Sequence, residues 1–224
     1  MLDLFGTLVA APDTTERAAA VVELSSALHV ARETVGVALS RSWRVRHDGE
    51  LRSGAAVAAY LAERCGASAD HVAGAASVLR RLAATRLDAD ESVCRALAEL
   101  RSSGLRLALL SDASPDIAES WSASALAPYF EVALFSCWEG AVKPAPGLFD
   151  RVLLRLGIAP GNTVYCGDGG GDELAGAQRS GMRPLRVARR GGSHRLAFGE
   201  TPWSGASLPA VESLPAALAD GWAV

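Results

Sequence analysis

The chain opens Met1-Leu2-Asp3-Leu4-Phe5-Gly6-Thr7-Leu8-Val9 (MLDLFGTLV), and the reading of this stretch decides the fold. An acid among apolar residues is poor strand material. Asp3 is therefore either a surface accident or a carboxylate wanted at the end of a buried strand. Gly6-Thr7 then reads as a turn. From 13 to 87 the pattern is helical: TTERAAAVVELSSALHV, ARETVGVALSRSWRVRH, GAAVAAYLAERCG and ADHVAGAASVLRRLAATRL carry apolar residues at three- and four-residue spacing.

From about Asp88 helices alternate with short apolar runs. DADESVCRALAELRSSG reads as a helix with acids in its first turn and Gly104 as its stop. LRLALLS, EVALFS, TVYCG and PLRVARR read as buried strands. Ser114 and Pro115 open one helix between them, Pro146 and Gly157 bound another with Leu148, Val152 and Leu156 on one face, and DELAGAQRSGM forms a third. This rhythm predicts an α/β fold: a doubly wound, Rossmann-like parallel sheet of residues 1–12 and 88–224. An all-helical segment, 13–87, is inserted directly after its first strand. The tail from about Gly191, rich in Gly, Ser and Pro, is expected to wrap the surface.

Composition narrows the function classes. Half of the 224 residues are hydrophobic, the net charge is −3, and no basic patch is dense enough to suggest nucleic acid. No apolar run is long enough to span a bilayer and no signal peptide is expected, so no membrane partner is expected either. Cys65, Cys94, Cys137 and Cys166 show no metal or redox spacing, which points to a reduced, cytoplasmic setting. His29, His47, His71 and His194 are equally scattered. Of 22 basic residues 21 are arginine, and Lys143 is the only lysine. A position that stays lysine in so arginine-rich a chain calls for a compact ammonium rather than a planar fork.

In doubly wound sheets ligands bind beyond the carboxyl ends of the strands. The polar residues expected there are Asp3, Ser111, Lys143 and Asp168. In this order and with these neighbours they resemble the haloacid dehalogenase (HAD) superfamily of hydrolases. Asp3-Leu4-Phe5-Gly6-Thr7 is similar to its first motif and Ser111, after an apolar strand, to its second. Lys143-Pro144 is similar to the third, and Gly167-Asp168 through Gly176-Ala177 to the fourth. The helical insert stands where subfamilies with a helical cap carry theirs.

The resemblance implies a Mg²⁺-dependent phosphatase acting on a small phosphorylated metabolite. Asp3 would be the nucleophile that forms an aspartyl phosphate. Ser111 and Lys143 would contact the phosphoryl group, with Thr7 and Asp112 beside them. Asp3, Asp168 and the backbone carbonyl of Phe5 would hold Mg²⁺, with a further acid that is Glu173 or Asp172 according to how the motif is counted. One position departs from the pattern: Phe5 stands where such phosphatases usually carry a second Asp as general acid. A Phe there also resembles the dehalogenase branch, in which Asp attacks carbon, whereas Asp168 speaks for metal and phosphorus. A weakly active or non-catalytic binding module is the third expectation. Oligomeric state leaves no mark on the sequence.

Three rival readings are weaker. GDGGGDELAG lacks the third glycine of a dinucleotide fingerprint, because Asp172 stands there. Trp43-Arg44-Val45-Arg46-His47 is expected to be a solvated helix face with Trp43 packed inward. Arg189, Arg190 and Arg195 are expected to be surface charge.

Overall fold

The computed structural model describes residues 1–188, 190 and 202–219. After the opening turn the chain runs through α1 (Thr14–Leu28), α2 (Arg32–Arg41), α3 (Trp43–His47), α4 (Gly54–Cys65) and α5 (Val72–Arg86). The start of α1 is set locally: Glu16 N–H donates to Asp13 at 2.7 Å and Asp13 N–H donates to Glu16 at 2.8 Å, the reciprocal cap that D-x-x-E allows. These helices bury Leu24, Leu28, Val35, Val57, Leu61 and Leu79 against one another, forming a cluster separate from those on the sheet.

The single helix expected over ARETVGVALSRSWRVRH breaks at Ser42. Ser42 Oγ donates to the Leu39 carbonyl at 3.3 Å and accepts from Arg46 Nε at 3.0 Å, and Arg46 also donates to Leu39 at 3.0 Å. Side-chain bonds of this kind compete with the helix ladder. The residue that α3 sends inward is His47, 8% exposed, while Trp43 stays half-buried and stacks on it at 4.4 Å.

The remainder alternates: α6 (Glu91–Ser102), β1 (Ala108–Ser111), α7 (Pro115–Ser120), β2 (Val132–Phe135), α8 (Ser136–Glu139), α9 (Pro146–Leu156), β3 (Val164–Gly167), α10 (Glu173–Arg179), β4 (Arg183–Val187), β5 (Ser207–Leu208) and α11 (Leu214–Ala219). Leu2 bridges Leu109 on one side and Cys166 on the other, both in parallel. Leu2 N–H donates to Ala108 at 2.8 Å and Asp3 N–H to Cys166 at 2.9 Å. Residues 1–3 therefore form the middle of one parallel sheet, ordered β2-β1-(1–3)-β3-β4-β5.

Successive strand residues face opposite layers. Leu109 and Cys166 pack with Leu97 and Leu100 of α6, whereas Leu110 and Tyr165 pack with Phe149 and Val152 of α9. Both faces are covered, which is why these strands read as unbroken apolar runs. The tail corrects the expectation that it merely wraps the surface. Ser207 and Leu208 pair with Arg186 and Val187, and Val211 and Leu214 are buried in the core. Their apolar side chains outweigh the Gly, Ser and Pro around them.

Arg189, His194 and Arg195 lie outside the described residues. Arg190 is not free surface charge, since it pairs with Asp90 and, at 2.7 Å, with Glu212. Its backbone N–H also donates to the Gly6 carbonyl at 2.8 Å, which ties down the first turn. The helical segment meets the sheet domain through α7, where Glu119 accepts from Gly54 N–H, the first residue of α4, at 3.1 Å. No helix among the described residues is long and apolar enough to cross a membrane.

Burial, with help from Arg46, lowers the His47 imidazole to about 3, against a bond from its Nδ1–H to the Trp43 carbonyl at 2.7 Å. The neutral ring belongs to the native state, so its contribution is complete above the unfolded value near 6.5 and is lost as pH falls towards 3. Acidification from neutrality to pH 5 is expected to remove about 2 kcal/mol of stability through this group. Urea melts of the wild type and His47→Gln across that range check it: the variant should show a correspondingly flatter pH dependence.

Candidate active site

The sheet register brings the candidates together. Because Leu2 lies between Leu109 and Cys166, Asp3, Ser111 and Asp168 all emerge at the carboxyl edge of three adjacent strands. Gly6 follows with φ 83°. The turn is closed by backbone bonds to the carbonyls of Leu4, Gly6 and Val9. Lys143 arrives from the loop between α8 and α9, where Asp112 Oδ1 accepts its backbone N–H at 3.0 Å. Glu173 comes from the first turn of α10.

Lys143 is buried, and its ammonium donates to Asp3 Oδ1 at 2.5 Å, Glu173 Oε2 at 2.5 Å and Tyr165 Oη at 3.2 Å. Tyr165 Oη–H donates to Glu173 Oε2 at 2.7 Å, and Gly169 N–H donates to Glu173 Oε1 at 3.1 Å. Burial alone would lower the lysine, but the Asp3 and Glu173 carboxylates more than reverse this, and its pKa stands well above the ordinary value. Asp3 moves the other way for a carboxyl group. Burial, Glu173 and Asp168 push it up to about 8 in spite of Lys143.

The other sequence candidates fall into place differently. Ser111 Oγ is buried and has no hydrogen-bond partner among the described residues. Thr7, expected beside the substrate, is fully buried and donates its hydroxyl to Asp3 Oδ2 at 3.3 Å. Asp112 is half-buried, and burial raises its carboxyl to about 6 against the pull of Lys143. Phe5 packs its side chain, partly buried, against the core. Cys137 is a core residue, whereas Trp138 is 42% exposed.

Of the two acids weighed for the last motif, Glu173 enters the site. Asp172 is half-buried at the N-cap of α10, with φ 55°, outside the group of acids. Asp3, Asp168 and Glu173 each offer an oxygen within 4.8 Å of the others, and all three are buried. A single ammonium stands beside these three carboxyl groups, so the pocket holds more acids than its own cation can pair. An all-oxygen, anionic donor set of this kind fits a hard divalent cation such as Mg²⁺.

A family model for haloacid dehalogenase-like hydrolases matches residues 1–181. The chain belongs to that family. It is similar to a phosphoserine phosphatase from Thermus thermophilus, 38% identical over 94 residues. That match covers 42% of this chain and spans only 38% of the relative's length. Among solved structures, a 2-haloacid dehalogenase from Pseudomonas syringae superposes with TM-score 0.67 at 23% identity, covering 99% of this chain and 97% of that one. A family enzyme from Bacteroides thetaiotaomicron, in complex with magnesium and inorganic phosphate, gives TM-score 0.65 at 19% identity over 91% and 95% of the two chains. These two likenesses speak for the fold.

Sequence reasoning missed Tyr165, and it named Gly167 only as the start of the fourth motif. A tyrosine in an apolar strand reads as core, and only its hydroxyl hints at a buried polar partner. Gly167 gives Glu173 its seat: a Cβ there would collide with Glu173 Oε1 and lie 2.8 Å from its Cδ. Gly176 has the same logic, with Pro144 2.8 Å and Phe149 2.9 Å from the place of a Cβ. Gly167→Ala is therefore expected to force Glu173 out of its seat and to cost about 1–3 kcal/mol. Chemical denaturation measures this loss, and an unchanged midpoint would contradict it.

Proposed function

We propose that this chain is a Mg²⁺-dependent phosphatase of a small phosphorylated metabolite, with Asp3 as nucleophile. One observation carries the reading: Ser111 Oγ is buried without a partner among the described residues, at the same sheet edge as the Lys143-bound carboxyl group of Asp3. An unbonded buried hydroxyl is costly, and a phosphoryl oxygen would satisfy it.

An oxygen of Asp3 attacks phosphorus, the bond to the leaving oxygen breaks with its electron pair, and water then hydrolyses the aspartyl phosphate. Lys143 neutralises the nucleophile before attack and the charge that spreads over the transferring group. Ser111 Oγ donates to a phosphoryl oxygen. Thr7 orients Asp3, and Asp112 holds the Lys143 loop at the substrate's edge. Asp3, Asp168 and the Phe5 carbonyl would hold the metal, with Glu173 behind them. Bound Mg²⁺ would offset the negative charge shared by the acids and the phosphoryl oxygens. Residues 13–87 serve as the cap, closing over the substrate and excluding water. The likeness to a phosphoserine phosphatase supports a small phosphorylated substrate. Free thiols at Cys65, Cys94, Cys137 and Cys166 suit a cytoplasmic setting.

Phe5 favours a second reading, carbon–halogen hydrolysis, because halide leaves without a proton. The excess of buried carboxylate around Asp168 weighs against it. General acid help is typically worth about 10²–10⁴-fold, so Phe5 fits a substrate whose leaving group needs little protonation.

Phosphate release from a panel of sugar, nucleotide, acyl and amino-acid phosphates should require Mg²⁺ and vanish with chelator and in Asp3→Asn. Release that survives in Asp3→Asn would overturn the reading. Because the metal must displace the proton that Asp3 holds up to about pH 8, Mg²⁺ affinity should rise by up to about tenfold per unit as pH approaches 8 and level off above it. Phe5→Asp should raise turnover of alkyl phosphates by about tenfold or more. No gain would show that the missing acid does not limit the reaction.

A further inference from the structure

The Lys143 ammonium has three N–H bonds, and three acceptors surround it: Asp3, Glu173 and Tyr165. Tyr165 is fully buried on β3, and its ring packs edge-on against Phe149 at 5.4 Å. A phenylalanine would fill that place in the core equally well. What the phenol adds is one hydroxyl, which donates to Glu173 Oε2 at 2.7 Å and lies 3.2 Å from Lys143 Nζ. A buried hydroxyl is unfavourable unless bonded, and this one is bonded to the two charged groups that stand behind the nucleophile.

The seat of Glu173 has three sides. Gly169 N–H holds one carboxylate oxygen at 3.1 Å, Tyr165 and Lys143 share the other, and Gly167 leaves the space in which the group lies. Both Glu173 oxygens are thus occupied within the protein, although the carboxylate lies close enough to Asp3 and Asp168 to share a cation with them.

We infer that Tyr165 is a positioning residue whose hydroxyl locks Glu173 onto Lys143, aiming the ammonium at Asp3 and keeping Glu173 from turning onto the cation. The part Lys143 plays in turnover rests on the phosphatase reading; the hold of Tyr165 on Lys143 does not. Without the hydroxyl, Lys143 loses one of its three acceptors and Glu173 loses the donor that fixes its rotation. Glu173 then becomes available as an additional metal ligand, while the lysine is less well directed.

Lys143 is the only lysine in the chain, so protein labelled with ¹⁵N-lysine gives one side-chain ammonium signal. In Tyr165→Phe its proton exchange with water should quicken by about tenfold, the effect of losing one hydrogen bond to a charged group, with the thermal midpoint little changed. Calorimetry should show Mg²⁺ bound about threefold or more tightly by the variant. In phosphate release kcat should fall while KM stays within about twofold. A role confined to packing would alter neither the ammonium exchange nor the metal affinity, and finding both unchanged overturns the inference. If Tyr165→Phe does not fold, the Tyr165 hydroxyl proton of the wild type decides the matter: slow exchange with water supports the lock, and a signal lost to fast exchange overturns it. If the wild type releases no phosphate from any substrate, the phosphatase reading falls, and the exchange measurement still supports or overturns the lock.

Discussion

The arrangement depends on one interaction: a buried ammonium, Lys143, held 2.5 Å from both Asp3 and Glu173. Taking these charges out of water is expensive, and the attraction between them returns that cost only with good geometry and further hydrogen bonds. The further bonds are present, from Thr7 to Asp3, from Gly169 to Glu173 and from Tyr165 to Glu173. Removing the ammonium would leave like charges facing one another in a buried space, a loss of about 3–5 kcal/mol by the usual measure of a broken buried pair. Even with Lys143 in place, Asp3 is pushed up to about 8. The site sets three carboxyl groups against one ammonium, and Asp3 keeps its proton up to about pH 8.

That imbalance is tolerable because the sheet fixes the groups without their help. Residues 1–3 take the central place between β1 and β3 and bond to both neighbours. So short a segment contributes little apolar area of its own, yet Leu2 and Leu4 are essentially fully buried, and the layers of α6 and α9 clamp the strands around them. Arg190 adds a second hold by bonding the Gly6 carbonyl while it pairs with Asp90 and Glu212. The position of Asp3 is thus set by neighbours far away in sequence.

The helical segment carries its own apolar cluster and meets α7 through bonds such as Glu119 to Gly54 N–H. It is not isolated from the sheet, since Ala83 of α5 lies in the same buried cluster as Leu2 and Leu97.

The sequence by itself determined the α/β alternation, and it carried the expectations of a helical run over 13–87 and of Asp3, Ser111, Lys143 and Asp168 meeting at one sheet edge. Apolar periodicity, turn residues and spacing are local quantities, and each of these features is written locally. The isolated lysine among arginines marks the centre of the site through composition alone. Only the tertiary structure puts Glu173, and not Asp172, in the buried group of acids, because a one-residue shift in the start of α10 determines which acid points inward. It alone assigned Thr7 to Asp3, made β5 and α11 part of the core, and gave Tyr165 its polar partners. These outcomes depend on which distant side chains meet in a low-dielectric interior, where pairing and desolvation set the energy. No window of neighbouring residues carries that information.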